Sequence, residues 1–385
     1  MSEFRTIREL CSVVADCPHS TPKWTTNGRI VVRNNNIKHG RIDLSSPSYT
    51  DEEHFAQRIK RAKPQPGDII ITREAPIGDV GMIPENTECC LGQRMVLLRA
   101  DQSVCDNFYL LYSLQSLYVQ HQISWSEGTG TTVSNLRIPH LEQIQIPYLP
   151  LEQQTKISSV LRALEEKIEN NTRLNDNLQQ QAMALYAEMF LNSSDNNVTS
   201  GTLSDIAAIT MGQSPSGSSY NEDGVGEVFY QGRAEFGFRF PKRRLFTTEP
   251  KRMAETGDVL LSVRAPVGDL NVAYERCCIG RGLGAIHSKT GHSSFVLYTM
   301  FALRSQLDVF NGEGTVFGSI NRDALNAIPI DIPPVTEIDQ FEAVAHPIDE
   351  LIRANYEENC RLEAIRDSLL PKLMSGEIDV SAVNL

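Results

Sequence analysis

The sequence predicts an α+β fold, with two globular α/β domains in a pseudo-two-fold repeat joined by two long antiparallel coiled-coil helices. Three observations predict it. Several strings of residues occur twice, in the same order, along the 385-residue chain. A long stretch with heptad spacing follows the first copy, and a second stretch with the same spacing follows the second copy.

The repeated strings establish which parts of the two copies correspond. Residues 67–80 (GDIIITREAPIGDV) and 257–270 (GDVLLSVRAPVGDL) share six identical positions at an offset of 190. The offset falls to 188 at the Cys-Cys-aliphatic-Gly strings and to 184 beyond them, which indicates loop deletions in the second copy. In each copy we predict one medium helix and short strands, the helices at 106–123 and 292–310 and the strands at 68–72, 94–99, 258–263 and 283–287.

Heptad spacing predicts the two long helices. Residues 151–191 contain no Gly or Pro, and their apolar residues alternate in steps of four and three. They predict a helix of about 40 residues, near 60 Å long at 1.5 Å per residue. The same spacing recurs 184 residues later and predicts a second helix of about 30 residues. The apolar positions are Ile157, Leu161, Leu164, Ile168, Leu178, Ala182, Leu185 and Met189, then Phe341, Ala345, Ile348, Ile352, Leu362, Leu369 and Leu373.

Asparagines interrupt the apolar spacing at equivalent positions of the two helices. They are Asn171 and Asn175 in the first helix and Asn355 and Asn359 in the second. Either the helix rotates and exposes them, or they lie in the interface and specify the register of the coiled coil. An antiparallel register places Asn171 opposite Asn359 and Asn175 opposite Asn355.

These patterns divide the chain into four segments. Residues 1–150 form the first globular domain and 151–192 a central spacer helix. Residues 193–334 form the second globular domain, and 335–385 a second spacer helix with a tail. A polar Gly/Ser/Asn-rich linker at 192–201 precedes the second domain.

The net charge of −12 argues, as a whole-chain average, against binding to nucleic acid. Partitioning changes that interpretation, because residues 331–385 carry −8 of the total and each globular domain is near −1. Local basic clusters remain, and either they are solvated surface charge or they contact phosphates. The clusters are Arg58, Lys60, Arg61 and Lys63 in the first domain, and Lys242, Arg243 and Arg244 in the second.

The sequence offers little catalytic chemistry. Its eight cysteines form no C-x-x-C pair, so a metal site has no support, and the adjacent pairs at 89–90 and 277–278 are interpreted as small apolar strand residues. No phosphate-binding loop, H-E-x-x-H or G-x-S-x-G motif is present. Gly-Asp dipeptides repeat at Asp68, Asp79, Asp258 and Asp269, and a turn or cap role is favoured over acid–base work. Because catalytic motifs are missing, we expect a non-catalytic protein. Because the sequence lacks a signal-peptide core and an apolar span, we expect it to be cytoplasmic.

Taken together, the architecture and several strings resemble the DNA-specificity subunits of type I restriction-modification systems. The spacer strings are IPYLPLEQQ (146–154), IDIPPV (330–335) and LLPKLMSGEI (369–378). GDIIITREAPIGDVG (67–81) and CLGQRM (90–95) are similar to one type of recognition domain, and GQSPSGSSYN (212–221) and LLSVRAPVGD (260–269) to another. One departure is Thr336-Glu337-Ile338, where the first spacer has Glu152-Gln153-Gln154.

The resemblance implies a function by binding. Each target-recognition domain would read one half-site of double-stranded DNA, and the helices would fix the gap between half-sites. Two methyltransferase (modification) subunits using S-adenosylmethionine would dock on the helices, and restriction subunits using ATP and Mg would join them. This chain itself would bind no cofactor and no metal.

Candidate DNA contacts are polar and basic residues in the loops that differ between the copies, together with the repeated turns. In the first domain they are His19, Ser20, Thr21, Lys23, Arg33, Asn34, Arg73, Gln93, Arg94 and Thr131. In the second domain they are Gln213, Ser214, Tyr220, Asn221, Gln231, Arg233, Lys242, Arg264, Arg281 and Thr315.

Two other classes of function remain open at this point. A coiled-coil protein–protein scaffold without its own DNA readout would show no salt-dependent affinity for DNA. A self-sufficient methyltransferase or nuclease is disfavoured by the missing cofactor and metal motifs, and a cofactor-binding assay on the chain would decide.

Overall fold

The structure, a computed structural model, forms two compact units. Unit 1 comprises residues 1–170 and 358–385, and unit 2 comprises residues 171–357. Each unit therefore contains one globular domain together with a segment of each long helix. The structure describes residues 3–38, 40–125, 135–192, 198–312 and 318–380.

The globular part of unit 1 is a mixed α/β domain. Its strands are β1 (Glu3–Thr6), β2 (Cys11–Asp16), β3 (Arg29–Val32), β4 (Ile37–Lys38), β5 (Gly40–Ile42), β6 (Ser48–Thr50), β7 (Ile69–Arg73), β8 (Ile77–Met82), β9 (Cys89–Leu91), β10 (Met95–Ala100) and β11 (Gln145–Tyr148). Its helices are α1 (Ile7–Leu10), α2 (Glu52–Arg58), α3 (Asn107–Gln115), α4 (Leu117–Trp125) and α5 (Ile138–Gln143). The long helix α6 (Leu151–Tyr186) begins in this unit and continues into a π-helical turn, Ala187–Leu191.

The strands of unit 1 form three sheets. The largest has the order β2-β10-β7-β8-β5-β4 and is antiparallel except for the β5–β8 pair. A second sheet, β6-β3-β9, pairs β3 with β9 in parallel, and β1 pairs antiparallel with β11. The Ile69-Ile70-Ile71 run of β7 is fully buried, as expected for a β-branched central strand.

Unit 2 repeats this organisation. Its strands are β12 (Thr199–Thr202), β13 (Ala207–Met211), β14 (Tyr220–Asn221), β15 (Glu227–Tyr230), β16 (Phe246–Thr247), β17 (Met253–Ala254), β18 (Val259–Ser262), β19 (Leu270–Val272), β20 (Cys277–Ile279), β21 (Leu283–Ser288) and β22 (Pro329–Ile332). Its helices are α7 (Leu203–Ile206), α8 (Ser293–Ala302), α9 (Arg304–Asp308), α10 (Arg322–Asn326) and the long helix α11 (Val335–Met374). The sheets have the orders β13-β21-β18-β19, β14-β16-β15-β20-β17 and β12-β22.

The predicted medium helices are each divided in two, which corrects the expectation of one continuous helix per copy. In unit 1 the division falls at Ser116, which adopts an extended conformation between α3 and α4. The Ser116 Oγ donates to Ser113 O at 2.6 Å, so the side chain satisfies a carbonyl at the end of α3. In unit 2 the equivalent division falls at Leu303.

The long helices are antiparallel within each unit. In unit 2, Tyr186 stacks edge-on against Phe341, and farther along Asn175 meets Asn355. In unit 1, Lys167 pairs with Glu358 at 3.0 Å, and Leu161 shares a core with Leu373. Helix α11 has 40 residues rather than the expected 30, because it continues through two prolines that sequence rules treat as helix breakers. No helix in the described ranges is long and apolar enough to cross a membrane.

Three of the four interface asparagines are buried, which excludes the interpretation that the helix rotates to expose them. Asn171, Asn175 and Asn355 are 3%, 5% and 8% exposed. Asn355 Nδ2 donates to Asn175 Oδ1 at 2.8 Å, and Asn175 Nδ2 donates to Ile352 O at 3.3 Å. In unit 1, Asn359 Nδ2 donates to Ile168 O at 3.4 Å, the image of the Asn175 bond at the 184-residue offset.

The Asn175–Asn355 pair predicts a non-additive pattern of stability. Asn355→Leu alone should lower the free energy of unfolding by about 1–3 kcal/mol, because it leaves the buried Asn175 oxygen without its donor. The double variant Asn175→Leu, Asn355→Leu should recover that loss, because both polar groups are gone. Urea unfolding of the two single variants and the double variant measures the coupling. Single variants as stable as the wild-type chain would contradict the pairing.

The departure between the two spacers is explained by how each helix joins its domain. In unit 1, Gln154 is fully buried; its Nε2 donates to Val104 O and Leu149 O, and its Oε1 accepts from Asp106 N. The equivalent residue in unit 2, Ile338, packs in the hydrophobic core. There Glu342 instead accepts from the N–H groups of the first turn of α8. Gln154 therefore has a structural role, because it joins α6 to the globular domain of its own unit.

All eight cysteines are unpaired thiols, and seven are buried; only Cys360 is exposed. Burial raises the pKa of Cys11, Cys89 and Cys277 to about 12, so the reactive thiolate is scarce at neutral pH. We expect the native chain to react rapidly with a thiol reagent at Cys360 alone and at all eight positions in denaturant. Rapid labelling of the Cys89–Cys90 or Cys277–Cys278 pair, read by peptide mass spectrometry, would contradict this.

Candidate nucleic-acid interface

In unit 2, four chain segments converge at one edge of the sheets. Main-chain hydrogen bonds connect them, including Gly212 N to Leu283 O at 2.9 Å and Gln213 N to Ile279 O at 3.0 Å. Gly282 N donates to Gln231 O at 3.2 Å. We name the segments 212–214, 231–233, 263–264 and 280–282 loop surface 2. They follow β13, β15, β18 and β20, so the ends of four strands position them.

Glycines allow this close approach. A Cβ at Gly212 would lie 2.1 Å from Gly280 O, and a Cβ at Gly282 would lie 2.8 Å from Gln231 O. Either contact would push main chain away from main chain. The glycine-rich string at 280–284, which matches no nucleotide-binding motif, therefore has a packing explanation.

The exposed side chains of loop surface 2 include those of Gln213, Gln231, Arg264 and Arg281. The guanidinium groups of Arg264 and Arg281 make no side-chain hydrogen bond or ion pair to any residue that the structure describes. Ser214 Oγ accepts from Arg281 N at 3.2 Å and so fixes the turn. Two unpaired cations beside two amides are the donor set that contacts to phosphates and base edges require.

Other predicted contacts in unit 2 are engaged elsewhere. Arg233 is exposed but forms an ion pair with Asp269. Tyr220 donates to Pro215 O at 3.1 Å, and the Asn221 side chain exchanges two hydrogen bonds with the main chain of Val225. These bonds close a local loop and give Tyr220 and Asn221 a structural role. Lys242 is exposed, on a different loop.

Unit 1 has the equivalent arrangement. Cys17 N donates to Met95 O at 3.1 Å and Arg73 N to Arg94 O at 2.8 Å, which are the images of the Gly212–Leu283 and Val263–Gly282 bonds. Gly92 N donates to Val32 O at 2.8 Å. Segments 17–20, 33–34, 73–75 and 92–94 form loop surface 1, which is built from the same positions of the repeat.

Arg58 holds loop surface 1 together from beneath. The residue is 6% exposed, and its guanidinium donates to four carbonyl oxygens at 2.7–3.1 Å. Those oxygens belong to Pro18, Ser20, Leu91 and Gly92, so one side chain connects two of the converging segments. The expectation that Arg58 contacts phosphate is therefore corrected.

Arg73 is also placed inside the domain rather than at its surface. It is 9% exposed and donates to Asp16 Oδ1 at 2.9 Å, Leu136 O at 2.8 Å and Asn135 Oδ1 at 3.2 Å. Because these bonds occupy the guanidinium, we withdraw Arg73 from the candidate DNA contacts. In the repeat Arg264 aligns with Glu74 rather than with Arg73, and its side chain is exposed.

Arg33 is the most available cation of loop surface 1. Its guanidinium lies 5.0 Å from the centroid of the Trp24 ring, and its Nη1 is 3.4 Å from Ser48 Oγ. Arg33 and Trp24 line a surface cleft of about 320 Å³ together with Thr26 and Tyr49. Trp24 is 45% exposed and is a further candidate for DNA contact, which the sequence did not single out because its exposure and its position beside Arg33 arise only in the folded chain.

The remaining candidates of unit 1 are exposed or half-exposed but engaged with neighbours. Lys23 pairs with Asp51 at 3.2 Å, His19 with Asp16 at 2.9 Å, and Arg94 with Glu74 at 3.2 Å. Gln93 Nε2 donates to His19 O at 2.5 Å, and Asn34 Nδ2 donates to Glu74 O at 2.8 Å. The side chains of Ser20 and Thr21 are exposed. Thr131 and Thr315 lie outside the described residues.

The two basic clusters are mostly neutralised. Arg61 donates to Asp16 O and Cys17 O, and Lys63 pairs with Glu88 at 2.6 Å. In unit 2, Arg243 pairs with Glu275 and Arg244 with Glu235. Within the described residues, Lys60 and Lys242 are the members of these clusters whose side chains have no such partner. The clusters are therefore largely internal ion pairs.

The repeated Gly-Asp carboxylates serve turns and ion pairs. Asp68 accepts from Gln65 N at 2.8 Å, and Asp258 accepts from Glu255 N at the same distance, which is one turn-closing bond in both copies. Asp68 also pairs with Arg99, and Asp269 with Arg304. In the part of the chain that the structure describes, no group of three His, Cys, Asp or Glu side chains is arranged to hold a metal ion.

Comparison with known proteins assigns this architecture. A model of the type I restriction modification DNA specificity domain matches residues 2–180 and again residues 196–357. The chain belongs to this family. It carries two DNA specificity domains, and the subunits of this class are non-catalytic, with catalysis on separate chains.

Curated relatives agree with this assignment, and a solved structure shares the fold. The chain is 28% identical over 400 residues to the type I restriction enzyme MjaX specificity subunit of Methanocaldococcus jannaschii, across 98% of this chain and 94% of that protein. It is 23% identical over 345 residues to the MjaIX specificity subunit of the same organism, across 82% and 78%. The fold is similar to that of a type I restriction-modification S subunit from M. genitalium, with a TM-score of 0.60, 19% identity and coverage of 97% and 96%.

Proposed function

We propose that the chain reads a bipartite double-stranded DNA target, one half-site on each loop surface. The observation that carries the proposal is the equivalence of the two surfaces, which are built from the same four positions of the repeat and differ in the side chains they present. A shared main-chain scaffold with different polar side chains suits two readers of different short sequences.

The candidate contacts divide by availability. The primary set is Arg264, Arg281, Gln213 and Gln231 on loop surface 2, and Arg33 on loop surface 1 together with the adjacent Trp24. His19, Ser20, Thr21, Lys23, Asn34, Gln93, Arg94, Ser214, Arg233 and Lys242 form a secondary set, in which several side chains must exchange an internal partner for DNA. Exchange of an exposed ion-pair partner costs little, since such pairs contribute about 0–1 kcal/mol.

We further propose that residues 1–150 and 193–334 are the recognition domains, and that 151–192 and 335–385 are the spacer helices that fix the gap between half-sites. Two methyltransferase subunits would bring S-adenosylmethionine, and restriction subunits would bring ATP and Mg. The acidic excess of residues 331–385 suits a surface that faces protein rather than phosphate. Bound to these subunits, the chain would act on DNA in the cytoplasm.

The test is to co-express the chain with its methyltransferase partner and to map methylated adenines across the host DNA. We expect one bipartite motif with two fixed half-sites and a constant gap. Exchanging residues 193–334 for the same region of a relative should change one half-site and leave the other unchanged. Binding of the purified complex to DNA without sequence preference or salt dependence would favour the scaffold alternative.

A further inference from the structure

In unit 2, a buried charged group connects the recognition domain to both long helices. Arg239 donates through Nη1 to Asp349 Oδ1 at 2.6 Å and through Nη2 to Gln179 Oε1 at 3.0 Å. Tyr298 OH donates to the same Asp349 oxygen at 2.9 Å. Arg239 and Tyr298 belong to the domain, Asp349 to α11 and Gln179 to α6. We name Arg239, Tyr298 and Asp349 the domain–helix triad.

The loop that carries Arg239 is itself fixed to the sheet. Gly237 exchanges two hydrogen bonds with the buried side chain of Asn271 on β19, at 3.2 and 2.9 Å. Val272 N donates to Arg239 O at 2.8 Å. The position of the triad is thus coupled through main chain to β19, which pairs with β18, the strand that leads to Arg264 of loop surface 2.

An aromatic group reinforces the same joint. The rings of Phe240, Tyr274 and Tyr356 lie 5.0–5.6 Å apart, and Tyr274 OH donates to Glu357 Oε1 at 3.0 Å. Phe240 and Tyr274 come from the domain, while Tyr356 and Glu357 come from α11. Two adjacent contacts resist a rotation that one contact would permit.

Unit 1 has part of this joint at equivalent positions. Tyr112 OH donates to Glu165 Oε2 at 2.9 Å, and these residues are the repeat images of Tyr298 and Asp349. Its arginine differs, because Arg41 is half-exposed and pairs with Glu169 and the Glu165 carbonyl. In unit 2 the side chain of Arg239 is only 3% exposed. The tyrosine–carboxylate bond is the element common to both.

A buried charge pair defines geometry strictly, because moving either partner leaves an unpaired buried charge. The buried Arg239 Nε has no hydrogen-bond partner among the described residues, so the Nη contacts orient the guanidinium. They are those to Asp349 and Gln179 and a third, from Nη2 to Tyr298 OH at 3.4 Å. Val272, whose N–H donates to Arg239 O, pairs with Val259 at the start of β18, whereas Arg264 of loop surface 2 follows the other end of that strand. Inserting one base pair between half-sites shifts the second by about 3.4 Å and rotates it by about 35°.

We propose that Arg239, Tyr298 and Asp349 are positioning residues for target recognition: by fixing the second recognition domain on its helix segments, the domain–helix triad makes binding depend on the gap between half-sites. The inference rests on the proposed function. It assigns no DNA contact to the triad, so base preference within a half-site should not depend on it.

The test uses the full chain in its methyltransferase complex, with duplexes that carry the mapped target at its native gap, one base pair shorter and one longer. We expect the wild-type complex to lose about 100-fold in affinity when the gap changes. Tyr298→Phe and Asp349→Asn should reduce that penalty to about 10-fold or less. The penalty for a base substitution inside the second half-site should stay as in wild type. Tyr230→Phe removes a buried hydroxyl that bonds Pro241 O within the domain, and this control should keep the wild-type gap penalty.

The outcomes separate a positioning role from a merely structural one. If both triad variants lose affinity for all duplexes by one factor and keep the wild-type gap penalty, the triad only stabilises the fold and the proposal is overturned. The same holds if affinity and gap penalty are both unchanged. A wild-type complex without preference for any bipartite sequence would overturn the proposed function and this inference together.

Discussion

An Arg58→Met variant should lose recognition of the first half-site while recognition of the second survives. Methionine retains the apolar stem but removes the guanidinium that donates to four carbonyl oxygens beneath loop surface 1. Two of these bonds are buried, so the oxygens of Leu91 and Gly92 would be left without a donor. We expect the free energy of unfolding to fall by roughly 3–5 kcal/mol, since hydrogen bonds to charged groups contribute about 1.5–3 kcal/mol each.

The measurement pairs urea unfolding with affinity for duplexes in which one half-site is scrambled. In the variant, scrambling the first half-site should lower the affinity for DNA little further. Scrambling the second half-site should lower the affinity as much as it does in wild type. Lys60→Met is the matched control, because Lys60 is a neighbouring cation without a side-chain partner among the described residues, and its loss should leave stability unchanged. An Arg58→Met chain with wild-type stability and first-half-site preference would show that the four bonds are unimportant.

Replacing Arg264 and Arg281 by alanine should weaken DNA binding with a distinct salt signature. Both guanidinium groups are exposed without a side-chain partner in the described structure, so DNA contact would cost them no internal bond. Each single variant should lose about 1–3 kcal/mol of binding free energy, or roughly 10–100-fold in affinity. Where the lost contact is to phosphate, the slope of log affinity against log salt should fall by about 1.

Titrations at several salt concentrations distinguish phosphate contact from base readout. A base contact should relax preference at one position of the second half-site, whereas a phosphate contact should weaken all sequences alike. Arg276→Ala controls for charge, because Arg276 precedes β20, at the end opposite loop surface 2, and is paired with Glu227 and Glu255. If Arg264→Ala and Arg281→Ala bind with wild-type affinity and salt slope, loop surface 2 is not the DNA interface.

The repeat made much of this architecture predictable. The offsets of 190 and 188 align β7 with β18 and β9 with β20. In the structure the two strands of each aligned pair occupy equivalent positions in their own units. Heptad spacing predicted α6 closely, because residues 151–191 contain no Gly or Pro and their apolar positions resume in the same spacing after the two asparagines. It underestimated the length of α11, in which Pro347 lies between the fully buried residues Ala345 and Ile352.

Burial was the property that local sequence could not provide. Arg58 and Lys60 are two residues apart and equally basic, yet one is buried under loop surface 1 and the other is exposed. The difference arises from carbonyl groups 33–40 residues away in sequence, which only the folded chain brings near Arg58. For the same reason, neither the hydrogen-bond acceptors of Arg73 nor the contacts of Gln154 with its domain can be predicted from neighbouring residues in the sequence.

The hydrogen bonds that connect the segments of loop surface 2 run almost entirely between main-chain atoms, at glycines where no side chain fits. Every amino acid except proline has the same main-chain N–H and carbonyl groups, so Gln213, Gln231, Arg264 and Arg281 can be replaced by any other non-proline residue type without removing these main-chain bonds. A library that randomises only these four positions should therefore yield mostly folded chains. On such a surface, mutations can change which DNA sequence is recognised without changing whether the protein folds.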